Sequence, residues 1–291
     1  MTSQPLILAT RGSLLARTQS QWVADYVSTA TGRPVELLIV STRGDRIQDR
    51  PLSQVGGKGL FTKEIEEALL DGRAHFAVHS MKDMPTEQPE GLVIGAVPER
   101  EDPRDVLVGA SLDELPQGAR VGTGSARRRQ QLAALRPDLQ LLDLRGNVDT
   151  RVRKQREGEY DAIVLAAAGL RRLGHGDTIT AYLSVEQMIP AVGQGALAVQ
   201  CRADDADTLA ALQAIHHEPT AIAIAAERAF LIELQGGCSV PAGAHAWFEG
   251  DQLKVLGFWA ADDGRVYRNA ATGAPSQADA LGVTVAQAVR A

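Results

Sequence analysis

Apolar positions fall into short runs of strand length, separated by segments with helical spacing. Pro5 to Ala9 and Val35 to Val40 are such runs. Between them Leu15, Trp22 and Tyr26 recur near one face, which predicts a helix packed on a sheet through those three residues. Ser13 stands where the cap of that helix belongs. A further helix is predicted over Leu60 to Leu70, with Leu60, Ile65, Ala68 and Leu69 inward, and strands over Phe76 to Val78 and Leu92 to Val97. Alternating strands and helices of this kind signal a mostly parallel sheet covered on both faces.

Pro98 to Pro103 reads as a hinge, after which the same grammar repeats. Strands are predicted at Val106 to Val108, Arg120-Val121, Leu139 to Leu142 and Ala162 to Leu165, with helices starting at Ala126 and near Val148. A glycine-rich turn, Pro190 to Gly195, precedes a strand over Ala196 to Gln200. Helices at Ala206 to Ile215 and Pro219 to Leu234, hairpin strands at Ala244 to Glu249 and Leu253 to Ala260, and a helix over Ala278 to Arg290 complete the chain. The last part reads as a small α+β unit.

A length of 291 residues suggests two or three domains, and 44% hydrophobic with 23% charged residues suits a folded globular chain. No apolar run reaches the roughly 18 residues of a membrane span. Met1 to Ala9 has no basic region before its apolar run, so no signal peptide is expected. Two cysteines, Cys201 and Cys238, cannot build a disulfide framework, and no Cys/His cluster has zinc spacing. A reducing, cytoplasmic setting and no metal are expected. The net charge of −6 argues against nucleic acid or an anionic membrane as partner.

The distribution of charge says more. Of 25 arginines, 10 lie between Arg127 and Arg172, where 11 basic residues face 6 acidic ones. The segments Ala126-Arg127-Arg128-Arg129, Asp143-Leu144-Arg145-Gly146-Asn147 and Ala166 to Arg172 each follow directly after a predicted strand. In a parallel sheet such ends share one edge, so the arginines should converge. Thr10-Arg11-Gly12-Ser13 and Thr123-Gly124-Ser125 are similar turns, one in each unit, and read either as ordinary N-caps or as anion sites. As anion sites, the two describe a cleft for a carboxylated ligand.

Three other stretches carry candidate chemistry. His79-Ser80-Met81-Lys82-Asp83-Met84-Pro85 puts a Lys-Asp pair at a strand end, which fits either a surface ion pair or a reactive turn. Val55-Gly56-Gly57-Lys58-Gly59 suits a mobile lid better than a phosphate cradle, because the order of a P-loop is missing. Cys201 ends an apolar run and reads as a buried, inert thiol, whereas Cys238, after Gly236-Gly237 and before Pro241, sits in an open turn.

Taken together the chain resembles the porphobilinogen deaminase (hydroxymethylbilane synthase) family over essentially its whole length. The carrying motifs are Ala9 to Ser13, Val55 to Phe61, Ala77 to Asp83, Glu101 to Asp105, Leu144 to Asn147, Pro190 to Gly195 and Gly236 to Cys238. The resemblance implies two α/β domains like periplasmic binding proteins, with mixed, mostly parallel sheets, and a small α+β C-terminal domain. Residues 1–98 with 196–215 would form the first, 99–195 the second and 216–291 the third.

It also implies a dipyrromethane cofactor on a thioether to Cys238, and a reaction that joins four porphobilinogen molecules head to tail into a linear tetrapyrrole, releasing ammonia at each step. Asp83 matches the family's catalytic aspartate, which would stabilise cationic pyrrole species and shuttle protons. Lys82, Ser80, Thr123, Ser125, Arg127, Arg128, Arg145 and Gly146 are implied for the cofactor. Arg11, Ser13, Lys58, Arg151, Arg172 and Gln194 are implied for substrate, whose acetate and propionate groups bidentate guanidinium suits. The pattern departs from the family at Gln54, where a lysine is common, and at Gly124 and Ala126. Metal, nucleic acid and membrane are not expected as partners, and a monomer is expected.

Two rivals remain at this level. A non-catalytic receptor for a small carboxylated ligand would use the same cleft and carry nothing covalent. A nucleic-acid binder would use the local excess of arginine, but only 4% aromatic residues offer few platforms for stacking bases.

Overall fold

A computed structural model describes residues 4–42, 44, 62–235, 240–261 and 263–290. The strands are β1 (Leu6–Arg11), β2 (Val35–Val40), β3 (Phe76–Ser80), β4 (Leu92–Ala96), β5 (Asp105–Val108), β6 (Arg120–Gly122) and β7 (Gln140–Leu142). They continue as β8 (Ala162–Ala166), β9 (Ala181–Tyr182), β10 (Leu197–Arg202), β11 (Ala242–Glu249), β12 (Gln252–Ala260) and β13 (Val266–Gly273). The helices are α1 (Leu14–Thr31), α2 (Lys63–Leu70), α3 (Ala126–Leu135), α4 (Val148–Arg156), α5 (Ala167–Arg172), α6 (Ala206–Gln213), α7 (Glu218–Glu233) and α8 (Ala278–Arg290).

The chain divides into two compact units, Met1–Arg100 with Ala196–Ala221, and Glu101–Gly195 with Ile222–Ala291. The sheet of the first has the order β2-β1-β3-β10-β4, and one sheet of the second has the order β7-β6-β8-β5-β9. The plans match. Three neighbouring strands pair in parallel, and the fourth, β10 or β5, runs antiparallel to both its neighbours. Each sheet is therefore mixed and mostly parallel, as expected.

Alternation along the strands sets the layers of the first unit. Leu6 and Leu8 of β1, Phe76 and Val78 of β3 and Val199 of β10 pack with Val23 and Val27 of α1 and Leu212 of α6. Ala9, Ala77 and Leu92 cluster with Ile65 and Leu69 of α2. One expectation fails here. Trp22 and Tyr26 are about half exposed, at 48% and 50%, and stack on each other, while the buried face of α1 is Gln19, Ser20, Val23, Ala24 and Val27. Small Ser20 and Ala24 let the helix lie close to the sheet, and the two rings cover each other instead.

In the second unit the strands of the arginine-rich sheet are buried by two clusters. One gathers Leu107, Val121, Leu132 and Val164, and the other Val106, Leu144, Ile163 and Leu170. The C-terminal segment adds the antiparallel sheet β11-β12-β13, closed by α7 and α8 through Phe230, Val285 and Val289. Strand β13 has no signal in the sequence because its centre, Arg268-Asn269-Ala270, is exposed and shows no apolar alternation. Of the predicted features, Gln54, the lid Val55 to Gly59 with Lys58, Leu60 and the turn bearing Cys238 lie outside the described residues.

Candidate functional site

In the first unit, β1 ends at half-buried Arg11, and Ser13 caps α1, its Oγ accepting the Ala16 N–H at 3.3 Å. That hydroxyl serves as an N-cap. Strand β3 delivers Ser80 to a single turn of 3-10 helix, Met81–Asp83. Buried Met81 and Met84 anchor the turn on either side, and the Met81 N–H donates to the Ala196 carbonyl at 3.0 Å. Between the anchors Lys82 is half-buried and Asp83 is exposed. Ser80 Oγ lies 3.3 Å from both side-chain amide atoms of Gln19, a buried residue of α1 that sequence reasoning misses.

Just before this turn His79 is buried. Loss of water drives its pKa down to about 4, against a weaker opposing contribution from Gln200, so the ring is neutral near pH 7.

In the second unit, β6, β7 and β8 are parallel, and the segments that follow them lie at one edge. After β6 the Thr123 Oγ1 accepts the Ser125 N–H at 3.3 Å, and Ser125 caps α3 by accepting the Arg128 N–H at 3.4 Å. After β7 comes exposed Arg145, then Gly146 with φ +111. A β-carbon at Gly146 would stand 2.6 Å from Thr150 Cγ2, so both backbone and space demand glycine. Asn147 then caps α4, its Oδ1 accepting the Thr150 N–H at 2.9 Å.

Arg151 on α4 donates from Nε to the Gly146 carbonyl at 2.7 Å, and Arg172 at the end of α5 donates to the Gly195 carbonyl at 2.8 Å. Neither makes a carboxylate ion pair among the described residues. Burial pulls Arg151 down to about 10, with the positive charges of Arg128 and Arg145 adding to the effect. Burial pulls Arg172 down to about 10 as well, with Glu101 opposing. Both remain charged at neutral pH, at an electrostatic cost that an incoming carboxylate relieves.

Arg127 and Arg128, implied for the cofactor, have a partner within the protein. Both are buried against Asp105, at 2.7 Å each, and Arg128 also donates to the Val164 carbonyl at 2.9 Å. Gln194 is 1% exposed and donates to Asp105 at 2.9 Å and to the Pro103 carbonyl at 2.7 Å. Sequence reasoning assigns Asp105 no role. Beyond its place in the Glu101 to Asp105 motif, its signal is an acidic residue heading the apolar strand Val106 to Val108, where both faces of the sheet are covered.

Cys201 is a buried free thiol raised to about 11 by burial, as its inert reading required. No helix of the described residues is long and apolar enough to cross a membrane.

Comparison with known proteins bears on the same segments. Residues 6–210 match the family model "Porphobilinogen deaminase, dipyromethane cofactor binding domain", and residues 221–291 match "Porphobilinogen deaminase, C-terminal domain". The chain is 54% identical to the porphobilinogen deaminase of Brevibacillus brevis, over 98% of this chain and 93% of that protein. It is 52% identical to the enzyme of that name from Roseiflexus sp., over 97% and 95%, and 48% identical to that of Geobacter metallireducens, over 99% and 92%. Among solved structures, the methionine binding protein MetQ is similar at a TM-score of 0.44 with 13% identity, covering 72% of this chain and 89% of that one.

Proposed function

The chain belongs to the porphobilinogen deaminase family, and from that premise we propose that it joins four porphobilinogen molecules into the linear tetrapyrrole hydroxymethylbilane, with release of ammonia, on a dipyrromethane held by Cys238. The observation that carries this reading is the state of Arg151 and Arg172: half-buried guanidinium groups that donate to backbone carbonyls and meet no carboxylate ion pair among the described residues. Such groups fit a ligand that brings several carboxylates, since fixed guanidinium pairs bidentately with carboxylate. Pyrroles bearing acetate and propionate are ligands of that kind.

The same fit applies to the cofactor. When bound, it supplies a covalently tethered pyrrole with a free α-carbon as the growing end. Arg127, Arg128, Arg145 and Lys82 would hold its carboxylates, with Ser80, Thr123, Ser125 and the backbone at Gly146 as lesser contacts. Arg11, Ser13, Lys58, Arg151 and Arg172 are assigned to the incoming porphobilinogen, whereas the Gln194 side chain is taken up by Asp105 and the Pro103 carbonyl. Asp83 is the catalytic residue of this reading. Its carboxylate, exposed between two buried methionines, accepts a proton from the pyrrole nitrogen or returns one to the departing amine, and its negative charge favours the cationic transition state.

Residues 1–98 with 196–215, 99–195 and 216–291 are taken as three domains, an assignment supported by three separate sheets. A cytoplasmic setting, supported by a cysteine content too low for a disulfide framework, and a monomeric state complete the reading.

Intact-protein mass spectrometry under denaturing conditions tests the proposal. The wild-type chain should carry the added mass of two linked pyrroles, and Cys238→Ser should not. An unmodified chain purified from cells that make tetrapyrroles would overturn it. For the anion site, Arg145→Leu should cripple cofactor loading or porphobilinogen consumption, and wild-type kinetics would remove Arg145 from it.

A further inference from the structure

Four hydrogen bonds from three side chains end on one buried carboxylate. Asp105 Oδ2 accepts from Arg127 Nη1 at 2.7 Å, and Asp105 Oδ1 accepts from Arg128 Nε at 2.9 Å, Arg128 Nη2 at 2.7 Å and Gln194 Nε2 at 2.9 Å. The carboxylate is 0% exposed and the two arginine residues are 4% and 6% exposed. Burial alone would raise its pKa, but the positive charges of Arg127 and Arg128 prevail and hold it well below the usual carboxylate range. Two guanidinium groups on one carboxylate leave the cluster with one positive charge in excess, in surroundings where an unbalanced charge is costly.

The segment that supplies Gln194 is itself fixed. The Gly193 N–H donates to Glu227 Oε2 at 2.7 Å, and the Ala246 N–H donates to Glu227 Oε1 at 2.9 Å. Glu227 is fully buried on α7, and Ala246 lies on β11. A β-carbon at Gly195 would stand 2.3 Å from the Glu101 carbonyl oxygen, so the turn is also packed tightly against its neighbour. In the sequence Cys238 falls between α7 and β11. One set of buried bonds thus links the elements flanking the cofactor cysteine to the arginine pair.

We infer that Asp105 is a positioning residue for the reaction proposed above: it locks Arg127 and Arg128 on its two oxygens, so that their excess charge meets a pyrrole carboxylate in one preformed orientation. The inference rests on reading those arginines as carboxylate binders. A role confined to neutralising buried charge needs only the carboxylate, whereas a positioning role also needs its reach. Asp105→Glu separates the two, because it keeps the charge and lengthens the arm by one methylene.

The experiment measures thermal melting, cofactor occupancy by intact mass, and KM and kcat for porphobilinogen. The proteins are the wild-type holoenzyme, Asp105→Glu, Asp105→Asn, Arg128→Leu, and a control, Asp161→Glu, in the more exposed Arg120–Asp161 pair. Displacing a binding group by about 1 Å can cost up to about a hundredfold, so Asp105→Glu is expected to stay folded with kcat/KM for porphobilinogen lowered at least about tenfold, or with cofactor occupancy lowered to match. Asp161→Glu should behave as wild type, and Asp105→Asn should lose occupancy or solubility. Wild-type occupancy and kinetics in Asp105→Glu, with Arg128→Leu impaired, would overturn the positioning role alone, whatever Asp105→Asn does. Wild-type behaviour of Arg128→Leu would overturn both the inference and the assignment of that arginine to carboxylate binding.

Discussion

Asp83 owes its place to its neighbours more than to any partner of its own. Buried Met81 and Met84 fix a three-residue turn, which leaves Asp83 exposed between them and Lys82 half-buried. Asp83→Asn keeps the shape and removes the proton acceptor. It should retain the covalent cofactor by mass and lose turnover by about two orders of magnitude, within the range for general acid–base groups. Four residues earlier, His79 gives a pH signature of a different kind. Its pKa is lowered from 6.5 to about 4 by burial, so between those values the unfolded chain binds the proton and the folded chain does not. Stability should be fully present above about pH 6.5 and fall as the pH drops towards 4, by up to about 3 kcal/mol, because a tenfold change in proton affinity corresponds to about 1.4 kcal/mol. Glu66, raised by its own burial, acts in the opposite sense. Urea unfolding at pH 7 and pH 4.5 measures the loss, and His79→Gln should shrink it.

At the level of elements, the arginine segments are presented by strand ends and helix caps. Asn147 turns the chain from β7 into α4 and so sets where Arg151 starts its reach. Replacing Asn147 with alanine removes the cap and should cost about 1 kcal/mol in chemical unfolding, with Asn147→Asp or Asn147→Ser recovering most of it. An unchanged unfolding midpoint in Asn147→Ala would mean that the cap contributes nothing. The placement of Arg127, Arg145 and Arg172 in segments that follow strands is legible in the sequence, because an apolar run followed by an arginine-bearing segment is a local pattern. The role of Asp105 is not. Its three side-chain partners lie 22, 23 and 89 residues away in the chain, and no local pattern records such pairings.

At the level of the whole molecule, the depressed guanidinium groups of Arg151 and Arg172 make the ligand-free protein electrostatically strained near neutral pH. A polycarboxylate held beside them should relieve that strain. The cofactor-free Cys238→Ser protein should therefore melt several degrees below the loaded wild type, since whatever binds only the folded state stabilises it. Equal melting temperatures would argue against contact between the cofactor and these arginines. The sequence by itself determined the alternation of strands and helices, the two matching α/β plans, the arginine-bearing strand ends and the family motifs, because all of these are set by neighbours within a few residues. It misjudged α1, where Trp22 and Tyr26 looked like the packing face, because helical spacing cannot distinguish a strip against a sheet from an aromatic pair stacked at the surface. Only the tertiary structure decided that Arg127 and Arg128 spend their inner faces on Asp105, and that Gln194 braces that carboxylate in turn. Buried charge must find its counter-charge across the fold, and such pairings are made by packing rather than by sequence spacing.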